Sequence, residues 1–486
     1  HPAMAEVKYV HQNVGFEAID AASGKFRITN RFYFTNLKKY QIHYSVLSNN
    51  KTIKSGKVSL DIAPQASKEF TVPVNGLKSQ PGTEYFVNFS VTTVEPEPLI
   101  PAGYEIAYDQ FQLPIQAEKR IYKANGPALT TATSGDELTV SSSKVNFVFN
   151  KKSGLVTSYK VDGTEYFKDG FGIQPNFWRA PNDNDYGNGA PKRLQVWKQS
   201  SKNFHVTDVK MTTENKVVSL KATYLLAAGN LYVVTYRIYP SGIVNVSAQF
   251  TSTDMQAAET EVSEATRMAT FTPGSDAARK AASKLEVPRI GVRFRLPAQM
   301  NNVQYFGRGP EENYIDRNHG TLVGVYKTTA DKMYFNYVRP QENGHHTDTR
   351  WIALSPDKGN GLAIVADSLI GFNALRNSIE DFDSEEALPH PYQWNNFSPE
   401  EVANHDEKAA RNVLRRMHHV NDITPRDFVE VCVDMKQQGV GGYDSWGARP
   451  EPFHQIPANR DYSWGFTLVP VRSASQANEV AKYDYQ

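Results

Sequence analysis

The chain has 486 residues, enough for several domains with full hydrophobic cores, so it needs neither disulfides nor metals merely to fold. Its 53 basic residues are matched by 52 acidic ones, which argues against a nucleic-acid-binding surface. Without an apolar run of about 18 residues, no transmembrane helix is expected. The single cysteine, Cys432, lies in an apolar stretch and is expected to be a small core residue.

The first part of the chain has the alternating pattern of half-buried strands. Apolar and polar residues alternate around Tyr40, Ile42 and Tyr44, and again around Tyr85 and Val87. Turn residues separate these short runs, and strands at this spacing are typical of a β-sandwich. The sequence therefore predicts a first β domain of roughly 115 residues.

Residues 125–143 are rich in Gly, Ala, Thr and Ser and are predicted to link this domain to a second one. Alternation then resumes at 145–149, 217–224 and 231–239, which predicts a second, mostly β domain. Residues 398–401, Ser-Pro-Glu-Glu, have the pattern of a capped helix start.

Two acidic motifs have unremarkable alternatives to a catalytic or metal role. Adjacent residues of a strand point to opposite faces, so Glu311 and Glu312 are predicted to belong to a packed loop rather than to a catalytic pair. The run from Asn182 to Asp185 resembles a calcium loop, but Leu194 occupies the position where such a loop needs a bidentate Glu. A long surface loop is the expected structure there.

Glu342, His345 and His346 are close in sequence and could supply acid and base groups to a sugar site. No second ligand pair at zinc spacing accompanies them, and no HExxH motif occurs, so no metal site is predicted. The sequence also lacks a GxSxG elbow, a Walker loop and a GxGxxG motif, which disfavours the corresponding enzyme classes.

The glycine-rich stretch from Gly439 to Trp446 is the most informative part of the sequence. Three glycines within four residues permit sharp turns, and a Trp placed directly after them can be exposed as a flat platform. Aromatic rings suit the apolar C–H faces of sugars. The residues alone leave both a buried core Trp and a sugar platform open.

Seven motifs occur in an order that resembles the C-terminal part of family 2 β-galactosidases. They are Pro2-Ala3 to Lys8, Ala63-Pro64-Gln65, Arg179-Ala180-Pro181 to Asp185, Arg289-Ile290-Gly291, Gly307 to Asp316, Pro340 to Asn343 and Gly441 to Trp446. Seven motifs in one order over about 440 residues make the resemblance highly specific.

The resemblance implies a mainly β fold in which an immunoglobulin-like sandwich precedes a large supersandwich similar to galactose mutarotases. Residues 1–14 would be the end of the catalytic barrel, 15–122 the sandwich, 123–473 the supersandwich and 474–486 a tail. Both catalytic glutamates and the ligands of the active-site magnesium would lie in that barrel, outside this chain. The chain, which begins without Met, would then be a non-catalytic fragment of a retaining β-galactosidase.

The resemblance also implies the site residues. Trp446 would stack on the substrate, and a loop would close toward the active site; its candidate residues are Asp185, Gly187, Asn188, Gly189 and Arg193. This sequence departs from the family's Ser-Glu pattern at Asn188, Gly189 and Ala190, which leaves the loop's contacts open.

The implied partners are the protein's own N-terminal and catalytic domains, a β-galactoside and a possible second copy of the chain. Neither nucleic acid nor a bound cofactor is expected, and the sequence does not determine the compartment. An alternative function is a carbohydrate-binding or mutarotase-like module that uses Glu342, His345 and His346.

Overall fold

The structure is a computed structural model that describes residues 1–252, 285–383, 419–444 and 446–485. The helix start predicted at 398–401 lies outside these residues. Most described elements are strands, so the prediction of a mainly β fold is confirmed. In the described ranges, no helix combines the length and the apolar character needed to cross a membrane.

The chain begins with helix α1 (Ala3–Val10) and continues into two small facing sheets. Their strands are β1 (Val14–Asp20), β2 (Lys25–Asn30), β3 (Tyr40–Ser48), β4 (Lys51–Val58), β5 (Ser67–Thr71), β6 (Tyr85–Thr93) and β7 (Glu105–Leu113). One sheet has the order β1-β2-β5 and the other β4-β3-β6-β7. Phe26 of the first sheet meets Phe89 of the second with ring centroids 4.9 Å apart, so alternating apolar residues close the sandwich.

A five-stranded sheet of order β13-β12-β11-β10-β9 follows a short strand, β8 (Arg120–Ile121). Its strands are β9 (Thr130–Ser134), β10 (Glu137–Ser141), β11 (Val145–Asn150), β12 (Leu155–Val161) and β13 (Thr164–Glu165). Buried residues alternate along β11, and the inward ones, Phe147 and Phe149, join the largest hydrophobic core.

A twelve-stranded sheet supplies the other side of this core. Its strands are β14 (Gln174–Asn176), β15 (His205–Glu214), β16 (Val217–Leu225), β17 (Leu231–Ile238), β18 (Val244–Thr251), β19 (Arg289–Pro297), β20 (Asn302–Gly309), β21 (Leu322–Thr329), β22 (His346–Ser355), β23 (Gly361–Leu375), β24 (Phe428–Gln437) and β25 (Tyr462–Val471). The main path runs β14-β19-β24-β23-β25-β18-β17-β16-β15, and β20, β21 and β22 branch from β23. Because β23 is 15 residues long, it pairs with β25 along its first half and with β24 along its second.

Strands β19, β23 and β24 are buried on both faces although they carry charged residues. In β19, Ile290 enters the hydrophobic core, whereas Arg289 and Arg293 point to the opposite face. There they meet Asp434 and Glu430 of β24, at 3.2 and 3.4 Å respectively. We call this side of the sheet the polar face; its residues are Arg289, Arg293, Asn373, Glu430 and Asp434.

Helices are short and lie mainly between strands. After α1 they are α2 (Asp183–Gly187), α3 (Ala190–Arg193), α4 (Gln195–Lys202), α5 (Ala330–Met333), α6 (Ile379–Phe382) and α7 (Ala477–Val480). The prediction of a surface loop after Asn182 is therefore wrong, because these residues form the helices α2, α3 and α4. Helix formation begins there because Asn182 caps α2.

The sequence predicts a tail after residue 473, but residues 474–485 pack against the rest of the chain. Strand β26 (Tyr483–Asp484) pairs in parallel with β8, and the Tyr239 hydroxyl donates to the Tyr485 carbonyl at 2.7 Å. Tyr485 is only 3% exposed and packs with Tyr122, at 5.1 Å between ring centroids. Aromatic burial thus anchors the chain end. The proposed boundaries between the domains remain predictions.

Replacing Tyr485 with Ala should lower the free energy of unfolding by about 3 kcal/mol, as expected for removal of a buried aromatic ring. The matched control is Tyr33→Ala, because Tyr33 is 75% exposed. That variant should stay within about 0.5 kcal/mol of the parent. Thermal and urea unfolding measure both effects, and equal stability of the two variants would show that the chain end is not anchored.

Candidate functional site

Arg289 lies at the centre of the polar face with no exposed surface. Its Nη2 donates to the Asn373 side-chain oxygen at 2.7 Å and lies 3.4 Å from Glu342 Oε1, while Nε lies 3.2 Å from Asp434 Oδ1. Gln437 accepts a further hydrogen bond from Nη2. A buried guanidinium is tolerated only with such partners, so Arg289 draws residues of two other strands and of the 339–346 segment together.

Burial has opposite effects on the acidic and basic groups of this cluster. It raises the pKa of Asp434 to about 7, although the Arg289 guanidinium opposes this shift. It lowers the pKa of His345 well below the usual value, and the positive charge of Arg289 lowers it further. At neutral pH, His345 is therefore a neutral hydrogen-bonding group.

The structure brings two of the three sugar-site candidates together. Glu342 accepts a hydrogen bond from Asn373 Nδ2 at 2.9 Å, and His345 Nδ1 lies 2.9 Å from the Asn373 side-chain oxygen. His346 lies apart, between the rings of Tyr305 and Phe372. Glu342 is 6% exposed and His345 1%, so both contact protein groups on nearly every side. A role for the three in sugar binding remains a prediction.

The adjacent carboxylates Glu311 and Glu312 have different environments. Glu312 is buried, accepts from the Gly344 N–H at 2.6 Å and pairs with Arg317 at 2.7 Å, whereas Glu311 is exposed. Burial raises the pKa of Glu312, an effect that Arg317 opposes. The arrangement is that of a packed loop.

The first element that carries candidate loop residues is the capped segment, residues 182–193. The Asn182 side chain accepts from the Asp185 N–H at 2.8 Å, and Asp185 Oδ2 accepts from the Asn182 N–H at 3.0 Å. This reciprocal pair is a capping box, which satisfies two free donors at the start of α2.

The second element is the platform loop, whose described residues are 439–444 and 446–449. Asp444 Oδ1 accepts from the backbone N–H groups of Trp446 and Ala448, at 2.9 and 3.0 Å. Asp316 Oδ2 accepts from the Gly441 N–H at 2.7 Å. The loop backbone is thus fixed by two carboxylates, while the Trp446 side chain remains 85% exposed.

Arg179 connects the capped segment to the first residue of the platform loop. Its Nη2 lies 3.0 Å from Asp185 Oδ2 and donates to the Gly439 carbonyl at 3.2 Å. Arg179 and Asp185 are both buried, and removal of one partner of a buried ion pair typically costs about 3 to 5 kcal/mol. Burial raises the pKa of Asp185, and the Arg179 charge opposes that shift.

The remaining loop candidates are Gly187, Asn188, Gly189 and Arg193. They belong to the capped segment and lie at or near its contact with the platform loop. A Cβ atom on Gly187 would lie 2.3 Å from the Trp446 carbonyl oxygen, so the two backbones touch there. Arg193 Nη2 donates to the Asn188 side-chain oxygen at 3.1 Å, and Arg193 Nη1 pairs with Glu286 at 2.6 Å. Gly189 has a left-handed φ of 70°, and a Cβ atom added there would meet no described atom within 4 Å beyond its chain neighbours. Their role in active-site closure remains a prediction.

Sequence reasoning assigned no role to Arg179, Asp316 or Asp444, although all three lie in the motifs that carry the resemblance. A sequence signal existed for Asp444, because Asp two residues before an aromatic in a glycine-rich turn can accept from the turn's own N–H groups. None existed for Arg179, whose partners lie up to 260 positions away. Across the described ranges, no group of three or more His, Cys, Asp and Glu residues is placed to hold a metal ion.

We expect His346 to make the fold sensitive to acid. Burial lowers its pKa from 6.5 to about 4, although its contacts with the Gly344 and Pro310 carbonyls oppose the shift. The unfolded chain therefore takes up a proton first, so stability present above pH 6.5 is lost as the pH falls toward 4. A shift of this size corresponds to about 3 kcal/mol.

His346→Gln should consequently show a smaller loss of unfolding free energy between pH 6.5 and 4 than the unaltered chain. Urea unfolding at a series of pH values measures this slope. Parallel curves for the two proteins would contradict the buried neutral imidazole.

Comparisons with known proteins agree on one family. The family described as beta galactosidase small chain matches residues 141–468, and beta-galactosidase domain 4 matches residues 26–114. The beta-galactosidase of Priestia megaterium is 32% identical over 97% of this chain and 40% of its own length. That of Streptococcus thermophilus is 25% identical over 97% and 39% respectively. The chain thus spans about two fifths of the length of the curated relatives it matches.

Two solved structures from Lactobacillus acidophilus also match part of this chain. Galactose 1-epimerase is 8% identical, with a TM-score of 0.35 over 72% of this chain and 98% of its own. A galactose mutarotase related enzyme is 10% identical, with a TM-score of 0.32 over 70% of this chain and 98% of its own.

The small-chain family match covers well over half of the 486 residues, and the chain therefore belongs to the beta-galactosidase small chain family.

Proposed function

We propose that this chain is the C-terminal, non-catalytic part of a retaining family 2 β-galactosidase and that it contributes Trp446 to the substrate site. The observation that carries the proposal is an indole ring that is 85% exposed on a backbone fixed by Asp444 and Asp316. A large apolar side chain held outward on a rigid loop is suited to stack on the C–H face of a sugar.

The carboxylates around this site support a non-catalytic assignment. Retaining hydrolysis uses two carboxyl groups about 5 Å apart that both reach the glycosidic bond. Asp185, Glu312, Glu342 and Asp434 are all buried here, and each has an arginine as a close partner. We therefore place the nucleophile, the acid/base and the magnesium ligands in the remainder of a longer protein.

The deciding experiment compares this chain with the longer protein on a chromogenic β-galactoside. We expect turnover by the longer protein alone. Turnover by the isolated chain would overturn the non-catalytic assignment and would make a carboxylate pair within the chain catalytic.

Trp446→Ala in the longer protein should raise KM more than it lowers kcat. Loss of one stacking contact corresponds to about 1 to 3 kcal/mol, or roughly 5- to 150-fold in KM. Trp446→Phe keeps a ring and should have an intermediate KM. Unchanged steady-state kinetics in the Ala variant would remove Trp446 from the site.

A second candidate function is that of a mutarotase-like or carbohydrate-binding module. The observation that favours it is the convergence of Glu342 and His345 on Asn373, since an acid and a base on one bridging residue suit proton transfer. Polarimetry of galactose with the isolated chain tests this reading. Faster anomer interconversion that is lost in Glu342→Gln would favour it over the platform function.

A further inference from the structure

The backbones of the capped segment and the platform loop approach so closely at two glycines that no side chain would fit between them. A Cβ atom on Gly447 would lie 2.4 Å from the Gly187 carbonyl carbon, and the φ of Gly447 is 127°, in a region that strongly favours glycine. With Gly187 facing it, each backbone rests directly on the other. The residue preceding Gly447 is Trp446, so this contact lies at the base of the exposed ring.

One side chain of the capped segment bridges the two ends of the Trp446 turn. Asn184 Nδ2 donates to the Asp444 carbonyl at 2.9 Å and to the Ala448 carbonyl at 3.3 Å. From inside the turn, the Asp444 side chain accepts from the N–H groups of Trp446 and Ala448. Two side chains thus hold the turn that presents the indole. Asp444 belongs to the turn itself, whereas Asn184 belongs to the capped segment.

The surrounding contacts tie the two elements into one unit. Asn182 Nδ2 donates to the Val440 carbonyl at 2.6 Å, near the start of the platform loop. Near its end, Glu286 pairs with both Arg193 and Arg449, each at 2.6 Å. Arg179 also binds Asp185 of the capped segment and the Gly439 carbonyl of the platform loop. We therefore expect a displacement of the capped segment to move the platform loop.

We infer that Asn184 is a positioning residue that sets the orientation of the Trp446 ring by closing its turn from the capped segment. The coupling itself follows from the contacts within this chain. Its consequence for sugar binding rests on the proposed function.

Asn184→Asp is the sharpest test, because it keeps the shape of the side chain and replaces the donor with a charged acceptor facing two carbonyl oxygens. Asn184→Ala removes the same bonds without adding charge. The matched control is Asn188→Asp, which makes the same charge change in the same segment but keeps the oxygen that accepts from Arg193.

The first readout is the ¹⁹F spectrum of the chain labelled with 5-fluorotryptophan. The six tryptophans give six resonances, and Trp446→Phe assigns the one of interest. We expect the Trp446 resonance to shift or broaden in both Asn184 variants and to stay unchanged in Asn188→Asp. A wild-type Trp446 resonance in a folded Asn184→Ala chain would overturn the proposal, even if Asn184→Asp fails to fold.

The second readout is a double-mutant cycle in the longer protein. Asn184→Ala should raise KM at least threefold in the presence of Trp446 and should have no further effect in the Trp446→Ala background. Equal effects in both backgrounds would contradict a role exerted through Trp446. If Trp446→Ala alone leaves the kinetics unchanged, the proposed function fails, whereas the ¹⁹F result still decides whether Asn184 positions the ring.

Discussion

The need to neutralise a fully buried arginine organises the region beneath the site. Arg289 enters the polar face because β19 alternates, and its neighbour Ile290 occupies the hydrophobic core on the other side. A guanidinium removed from water requires several acceptors, and no single neighbouring strand offers enough of them. Asp434 comes from β24, Asn373 from β23 and Glu342 from the segment before β22. The polar cluster thus fixes the sheet to the segments that cover it.

A second buried arginine extends this arrangement to the surface. Arg179 binds Asp185 of the capped segment and the Gly439 carbonyl of the platform loop. The positive charge of Arg179 also lowers the pKa of His345, which shows that the two arginines influence one electrostatic region. Both arginines have charged partners within 3.4 Å: Asp434 and Glu342 at Arg289, and Asp185 at Arg179.

Sequence periodicity predicts several of the strands, but it does not specify how many faces of a strand are buried. In β11 the alternation matches a half-buried strand, and the structure agrees. In β19 the same alternation, with Arg289 and Arg293 between apolar residues, suggests one exposed face, yet both faces are buried. The difference arises because the carboxylates that cover these arginines are 53 or more positions away in sequence. Periodicity reports side-chain direction, whereas burial depends on partners that it does not specify.

Local chemistry accounts for what could have been predicted at the site. Residues Asn182 to Asp185 form a capping box, whereas the sequence predicts a surface loop there, because short polar runs fit both structures. The glycines before Trp446 permit a sharp turn, but they do not distinguish a buried ring from an exposed one. That distinction depends on Asp316, Asn184 and Gly187, which belong to two other parts of the chain.

The combination of rigidity and exposure explains why Trp446 suits binding better than packing. An exposed indole gains nothing from burial within this chain, yet its backbone is held by Asp444, Asn184 and a glycine contact that excludes any side chain. A ring on a backbone that is already fixed loses only side-chain freedom when a ligand stacks on it, so less of the contact energy is lost to ordering. A flexible loop would present the same surface at greater entropic cost. If Trp446 stacks on a ligand as proposed, the contacts at the base of the ring would contribute to binding although none of them needs to touch that ligand.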